Sequence, residues 1–237
     1  MANHTPTAGS ILVTGGSKGI GLAIARRFHA GGFATFICAR DPAGLEAARL
    51  ASPGLQALAC DMTRPDDIAR LAGTIGERVG VPDVLVNNAG AYLPGQIHAE
   101  DESTLERMLA TNLFSAYRIT RALLPGMMAR GSGTIINVCS TASIMPYPNG
   151  GSYCIAKHAL HGFSRTLREE MKPHGIRVCS LLPGATLTAS WAGVDLPEDR
   201  FMPPEDVAEM AWAVHHMSPR TVVEDVLMRP FLGDIPS

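Results

Sequence analysis

Neither sign of charge is in excess: 20 Lys and Arg stand against 22 Asp and Glu, a formal net charge of −2. Nucleic-acid and anionic-membrane surfaces need clustered cations, so this balance excludes a strongly basic binding face. Small molecules become the expected partners, with no nucleic acid and no membrane among them. There is no CxxC pair, and the five cysteines (Cys38, Cys60, Cys139, Cys154, Cys179) are an odd number, which fits neither a thiolate zinc site nor a full disulfide framework. Four of them sit in or beside apolar runs such as FATFICAR and IRVCSLL and read as buried free thiols suited to a reducing compartment. No apolar run approaches the roughly 20 residues of a membrane-spanning helix, and the start MANHTPTAGS lacks the basic and apolar regions of a secretory signal. The expectation is a cytoplasmic location. His158, His161, His215 and His216 have no partners at zinc-site spacing, so no metal is expected. Asn3-His4-Thr5 matches a glycosylation acceptor, but without a signal it reads as accidental.

What the chain has is a 46% hydrophobic composition over 237 residues, enough for the core of one α/β domain. Short runs rich in Val, Ile and Leu alternate with longer segments of helical spacing. The strand candidates are SILVTG, FATFICAR, LQALACD, DVLVNNAG, GTIINVCS, IRVCSLLP and EDVLMRP; helices are expected near 19–30, 43–51, 65–79, 102–129, 152–172 and 204–217. Runs as continuous as VLVNN and TIINV suit strands covered on both faces. The order predicts a single-domain, Rossmann-type, doubly wound parallel sheet of about seven strands with helices on both faces. The first ten residues are polar and expected to fray. The stretch 189–204, ASWAGVDLPEDRFMPP, mixes Pro, Gly, acids and one Trp, and reads as a loop over a substrate site.

After the first strand comes TGGSKGIG, in which Gly15, Gly19 and Gly21 lead into a helix beginning near Ile20. Glycine allows positive φ and close backbone approach, and a helix start adds partial positive charge, so Gly15 to Gly21, with Ser17, suit a pyrophosphate. Lys18 precedes Gly19 rather than Ser or Thr, so a nucleoside-triphosphate P-loop is not matched. In dinucleotide folds the end of the second strand selects the cofactor. Here it reads CARD: Ala39 stands where a ribose-binding acid would, and Arg40 offers a guanidinium for a 2′-phosphate, with Lys18 on the same side. This points to NADP rather than NAD, although Asp41 is placed to mimic the missing acid. Asp61, followed by Met62 at the end of the third strand, is a candidate acceptor for the adenine amino group.

These landmarks occur in order with others. Asn87-Asn88-Ala89-Gly90 follows the fourth strand, Asn112 falls in the long helix, Ser140 precedes Tyr153 by 13 residues, and Tyr153-Cys154-Ile155-Ala156-Lys157 forms a YxxxK pair. Pro183-Gly184 with Thr186 and Thr188 completes a PGxxxT stretch. Along nearly its whole length the chain resembles the short-chain dehydrogenase/reductase family of the short, single-domain type, such as ketoacyl and carbonyl reductases. The resemblance implies that Asn88, Ala89, Gly90, Pro183, Gly184, Thr186 and Thr188 border the cofactor and that Lys157 holds the nicotinamide ribose. It also implies that Asn112 positions a water relaying protons to Lys157. Helices 102–129 and 152–172 would form a bundle between subunits of a homo-dimer or homo-tetramer.

The chemistry can be argued from the side chains. Residues four apart on a helix share a face, so Lys157 is expected to lower the pKa of Tyr153 toward the working range, helped by an oxidised nicotinamide. Ser140 would donate to the oxygen that gains negative charge while Tyr153 delivers the proton. The expected activity is hydride transfer between NADP(H) and a carbonyl or secondary alcohol. The alternatives are a cofactor-sensing binding protein and an epimerase or dehydratase using the same tyrosine. The chain ends VEDVLMRPFLGDIPS, without the Gly-rich tail of many ketoacyl reductases. Tyr92, Ala142, Ile144, Met145, Tyr147 and Trp191 suggest an apolar or aromatic substrate.

Overall fold

The computed structural model describes residues 8–191 and 193–235. The Asn3-His4-Thr5 pattern and most of the polar start lie outside the described residues. Ordering begins earlier than the polar composition suggested. Ala8 N–H donates to Gly32 O at 3.1 Å and Ala34 N–H to Gly9 O at 2.8 Å, so strand pairing has already fixed the chain before residue 10.

Seven parallel strands form one sheet: β1 (Ser10–Thr14), β2 (Ala34–Ala39), β3 (Gln56–Ala59), β4 (Val84–Asn87), β5 (Gly133–Val138), β6 (Ile176–Pro183) and β7 (Asp225–Met228), in the order β3-β2-β1-β4-β5-β6-β7. All seven apolar runs named above became strands. Alternation sorts their side chains to two faces. Ile11, Val13, Ile37, Val84 and Val86 join Ile24 and Phe28 of α1 (Gly19–Ala30), Leu45 of α2 (Pro42–Ala51) and Val207 and Ala211 of α7 (Pro204–His216). Leu12, Phe36, Leu85, Ile135 and Val178 face Leu71 and Ile75 of α3 (Pro65–Val79), with Ile119 and Leu123 from a second helix on that side and Leu167 from a third. Those two helices are α5 (Ser115–Arg130) and α6 (Gly151–Met171). Each fully buried Leu, Ile or Phe contributes about 1.5–3 kcal/mol of apolar transfer, so neither face can be left uncovered. No helix among the described residues is long and apolar enough to cross a membrane.

The helix expected over 102–129 is interrupted. A short α4 (Thr104–Leu109) passes through a π-helical turn at Ala110–Phe114 before α5 begins. Winding on either side of β1 runs in opposite directions: β2 and β3 lie to one side, β4 to β7 to the other. The crevice at the carboxyl ends of β1 and β4 is therefore the position where such sheets bind ligands.

Candidate active site

The glycine turn opens into that crevice. Gly15 and Gly19 have φ of +64° and +54°, which L side chains rarely adopt. A Cβ at Gly15 would lie 2.9 Å from Ala89 Cα, one at Gly21 would lie 2.3 Å from Asn88 Nδ2, and one at Gly19 would lie 3.1 Å from Thr188 Cγ2. The turn is thus packed tightly against the NNAG and PGxxxT segments. α1 starts at Lys18 with no side-chain cap bond and no acid in its first turn, leaving its N-terminal N–H groups and partial positive charge for an anion. Such a cradle fits a pyrophosphate. The half-buried Ile20 side chain packs against the core.

One hub went unread in the sequence. Thr14 Oγ1 accepts from the N–H groups of Asn88 (3.1 Å) and Ala89 (3.0 Å) and donates to Val86 O at 3.3 Å. Asn88 Nδ2 in turn donates to Thr14 O and Gly15 O, both at 3.0 Å. The Asn88 amide nitrogen therefore fastens β4 to the turn instead of reaching outward. The only advance signal was a hydroxyl closing the strand after the apolar run Ile11 to Val13.

At the end of β2, Arg40 is exposed and joins no ion pair among the described residues. Asp41 does not mimic a ribose-binding acid: its Oδ1 accepts from Ala43 N–H and its Oδ2 from Gly44 N–H, each at 3.1 Å, capping α2. Ser17 faces this cap, its Oγ 3.6 Å from where a Gly44 Cβ would stand. Lys18 is exposed on the same turn. Asp61 Oδ1 accepts from Thr63 N–H (2.9 Å) and Thr63 Oγ1 (2.8 Å). The Thr63 backbone bond, aided by the hydroxyl and by Arg40, holds its carboxyl below the usual range. Met62 turns its sulfur into the core, where the Cys38 and Cys60 thiols approach at 3.7 and 3.5 Å. All five cysteines are buried and free.

Ser140, Tyr153, Lys157 and Asn112 converge on one place. Ser140 follows β5 in extended conformation and starts a short 3-10 turn at Thr141–Ser143, with its Oγ accepting from Ala142 N–H at 3.1 Å. The Ser140 hydroxyl near the Tyr153 phenol lowers that phenol's pKa, but burial outweighs it and pushes Tyr153 up to about 12. In the cofactor-free chain the shift is thus opposite in sign to the acidification expected with an oxidised nicotinamide bound. Lys157 Nζ lies 5.9 Å from the Tyr153 ring centroid and donates to Val138 O at 2.9 Å, and its own pKa is lowered by burial. Desolvation disfavours both charges, so the lysine on its own does not offset the cost of a buried phenolate.

Asn112 sits in the π turn with its carboxamide committed. Nδ2 donates to Ala91 O at 3.0 Å and to Met108 O at 3.1 Å, while Oδ1 accepts from Ala91 N–H at 3.2 Å. A Cβ on Gly90 would lie 2.7 Å from Asn112 Oδ1 and 3.7 Å from Lys157 Nζ. That closeness puts the asparagine beside the lysine, with its side chain gripping backbone. Beyond the phenol, Tyr92 meets Tyr153 edge to face at 5.0 Å. Burial, with Tyr153 and Tyr92 close by, raises the Tyr147 pKa. Ile144 and Met145 are exposed, whereas Ala142 is buried and takes no part in a surface.

Beyond β6, Gly184 N–H donates to Met228 O at 2.8 Å, Thr186 is buried with its hydroxyl on Gly184 O, Leu187 N–H donates to Met202 O at 2.8 Å and Met202 N–H to Ala185 O at 2.9 Å. These bonds close the base of the 189–204 loop. Across it Trp191 and Phe201 pack with centroids 5.1 Å apart.

Comparison with known proteins agrees with this geometry. The short chain dehydrogenase family model matches residues 10–198. The sepiapterin reductase of Chlorobaculum tepidum is 33% identical, over 95% of this chain and 97% of that protein. A metagenomic short-chain oxidoreductase solved with NADP superposes with a TM-score of 0.83 at 32% identity, covering 94% of this chain and 97% of the other. An actinorhodin polyketide ketoreductase variant solved with NADPH gives 0.85 at 29% identity, covering 93% and 96%. A sheet of this order, a glycine turn of this shape and likeness over nearly the full length have one reading: the chain belongs to the short-chain dehydrogenase family of nicotinamide-dependent oxidoreductases.

Proposed function

We propose that the chain is an NADP(H)-dependent reductase of a small apolar or aromatic carbonyl compound, the reverse reaction being oxidation of the secondary alcohol. The observation that carries this is the convergence of Ser140, Tyr153 and Lys157 beside a cradle built for a dinucleotide. When bound, the nicotinamide supplies or accepts the hydride. The chain's part is to hold it and to manage one proton. The α1 N-terminus and the glycine turn receive the pyrophosphate, Arg40 and Lys18 a 2′-phosphate, and Lys157 the nicotinamide ribose. Asn88, Ala89, Gly90, Pro183, Gly184, Thr186 and Thr188 shape the walls around it.

Ser140 donates to the carbonyl oxygen as negative charge develops, and Tyr153 protonates it. Burial pushes the Tyr153 phenol up to about 12, so in the cofactor-free chain it holds the proton that reduction requires, and the reverse reaction would return it there. Two related structures hold NADP or NADPH, and Asp41 is spent on a helix cap; both favour NADP over NAD. The exposed Ile144, Met145, Leu93 and Tyr92 near the phenol favour an apolar substrate beneath the 189–204 loop.

Tyr153→Phe tests the reading: turnover of a ketone panel with NADPH should vanish while NADPH binding, followed by nicotinamide fluorescence, stays within about twofold. A variant that still turns over refutes the role of the phenol, and a wild-type chain that binds NADPH without consuming it is a sensor. Phe114, Tyr117, Met128 and Ile155 are exposed on α5, α6 and the turn before them, which supports a homo-dimer or homo-tetramer. Sedimentation at micromolar concentration should show one, and a strict monomer excludes it.

A further inference from the structure

We infer that Glu100 is a positioning residue for Tyr153, acting as a remote cap on the helix that carries the phenol; this rests on the role given to Tyr153 above. The first turn of α6 has no cap of its own. Gly150 at the N-cap has no side chain to offer, and no acid occurs in the first turn, although several N–H groups there need acceptors. Glu100 arrives from 52 residues away to provide them. Its Oε1 accepts from Ser152 N–H at 2.9 Å, and Oε2 accepts from the Ser152 hydroxyl. A carboxylate in this place bonds charged acceptor to N–H and opposes the positive end of the helix dipole. Tyr153 is the next residue.

The surroundings are shaped for that carboxylate. A Cβ on Gly151 would fall 2.0 Å from Glu100 Oε1 and one on Gly95 2.8 Å from Glu100 Cγ, so two glycines leave the space the acid fills. The turn bearing Glu100 is latched to the loop before α6: Gly95 N–H donates to Asn149 O and Gln96 Nε2 to Asn149 Oδ1, each at 3.0 Å. Asn149 holds a φ of +61° to receive them. Glu100 N–H in turn donates to Gln96 O at 3.0 Å. The segment 91–100 is thereby fixed at both ends, at Ala91 by Asn112 and at Glu100 by α6. Between the two anchors Tyr92 lies against the Tyr153 ring. Releasing Glu100 frees the first turn of α6 and the far end of the segment that flanks the phenol. The glycine turn and Lys157 are held by other bonds, so the cofactor should bind as before.

Glu100→Ala and Glu100→Gln separate the possibilities. In the cofactor-free chain, amide hydrogen exchange at residues 151–154 should speed up roughly tenfold in the alanine variant, the loss of one cap, and return most of the way in the glutamine variant, which keeps an acceptor. With acetophenone and NADPH, kcat should fall roughly tenfold for alanine and recover in part for glutamine, with NADPH affinity within about twofold of wild type. Unchanged exchange in Glu100→Ala overturns the cap. Faster exchange with unchanged kcat, or loss of NADPH binding in step with kcat, overturns the positioning role. No turnover of any ketone by the wild type would instead sink the proposed function. The near-ultraviolet titration of Tyr153 then decides the role of Glu100, and a Glu100→Ala curve matching wild type overturns it.

Discussion

Adding one methyl group at Gly21 should damage the site far more than its size suggests. The new Cβ would lie 2.3 Å from Asn88 Nδ2 and 2.5 Å from Gly15 O, and neither group is free to retreat. Asn88 Nδ2 is held between Thr14 O and Gly15 O, and Gly15 O belongs to the strained turn itself. Moving the amide weakens two hydrogen bonds at about 0.5–1.5 kcal/mol each, and overpacking adds about 1–3 kcal/mol. The helix-propensity gain of Gly→Ala returns up to about 1 kcal/mol. The balance is about 1–5 kcal/mol, which for a chain of this length is a fall of roughly 2–20 °C in the thermal midpoint. Gly73→Ala on α3 is the matched control: nothing stands within 4 Å of its Cβ, so propensity alone should raise the midpoint by about 2–4 °C. Circular-dichroism melting of the two variants, with NADPH titrated by fluorescence, reads both effects. A Gly21→Ala midpoint within about 1 °C of the parent, or a Gly73→Ala change in the same downward direction, would refute the steric account.

Two further outcomes follow from the electrostatics. Arg40→Asp should leave the melting midpoint nearly unchanged, because the side chain is exposed and unpaired among the described residues. The same change should lower the NADPH-over-NADH ratio of kcat/KM by roughly 10–100-fold, the worth of one charge-assisted contact; a ratio unchanged by the variant removes Arg40 from cofactor choice. Subtracting the ultraviolet titration of Tyr153→Phe from that of the cofactor-free wild type should give a phenol step near the pKa of about 12, since burial penalises the phenolate and moves ionisation to higher pH. A step at pH 7–8 would contradict this, leaving Lys157 as the dominant influence.

Legibility in the sequence followed the physical signal available. Strands covered on both faces show as continuous apolar runs, so β1 to β7 were all visible, including the short, weakly buried β7. Ser140, Tyr153 and Lys157 were picked out by resemblance to the family's motif set, and helix period added only that the tyrosine and the lysine share a face. Thr14 was not, since one hydroxyl in a strand has the same pattern whether it anchors two segments or none. Asp41 was read only as a mimic of the missing ribose-binding acid, and the two N–H groups it accepts from at the start of α2 were not foreseen. The direction of the Tyr153 shift is set by burial, which residue spacing does not measure. Glu100 and Ser152 are so far apart in the chain that no local periodicity links them.

The π turn at Ala110–Phe114 amounts to one extra residue threaded into an otherwise regular coil. The wider turn absorbs that residue locally, so removing one of these five would restore plain α-helix with the flanking segments near their present register. Asn112 would then lose the bulged backbone from which it reaches Ala91. The aim of the asparagine is thus encoded by a count, not by a side chain, and length variation in this stretch acts on the site as strongly as a substitution within it.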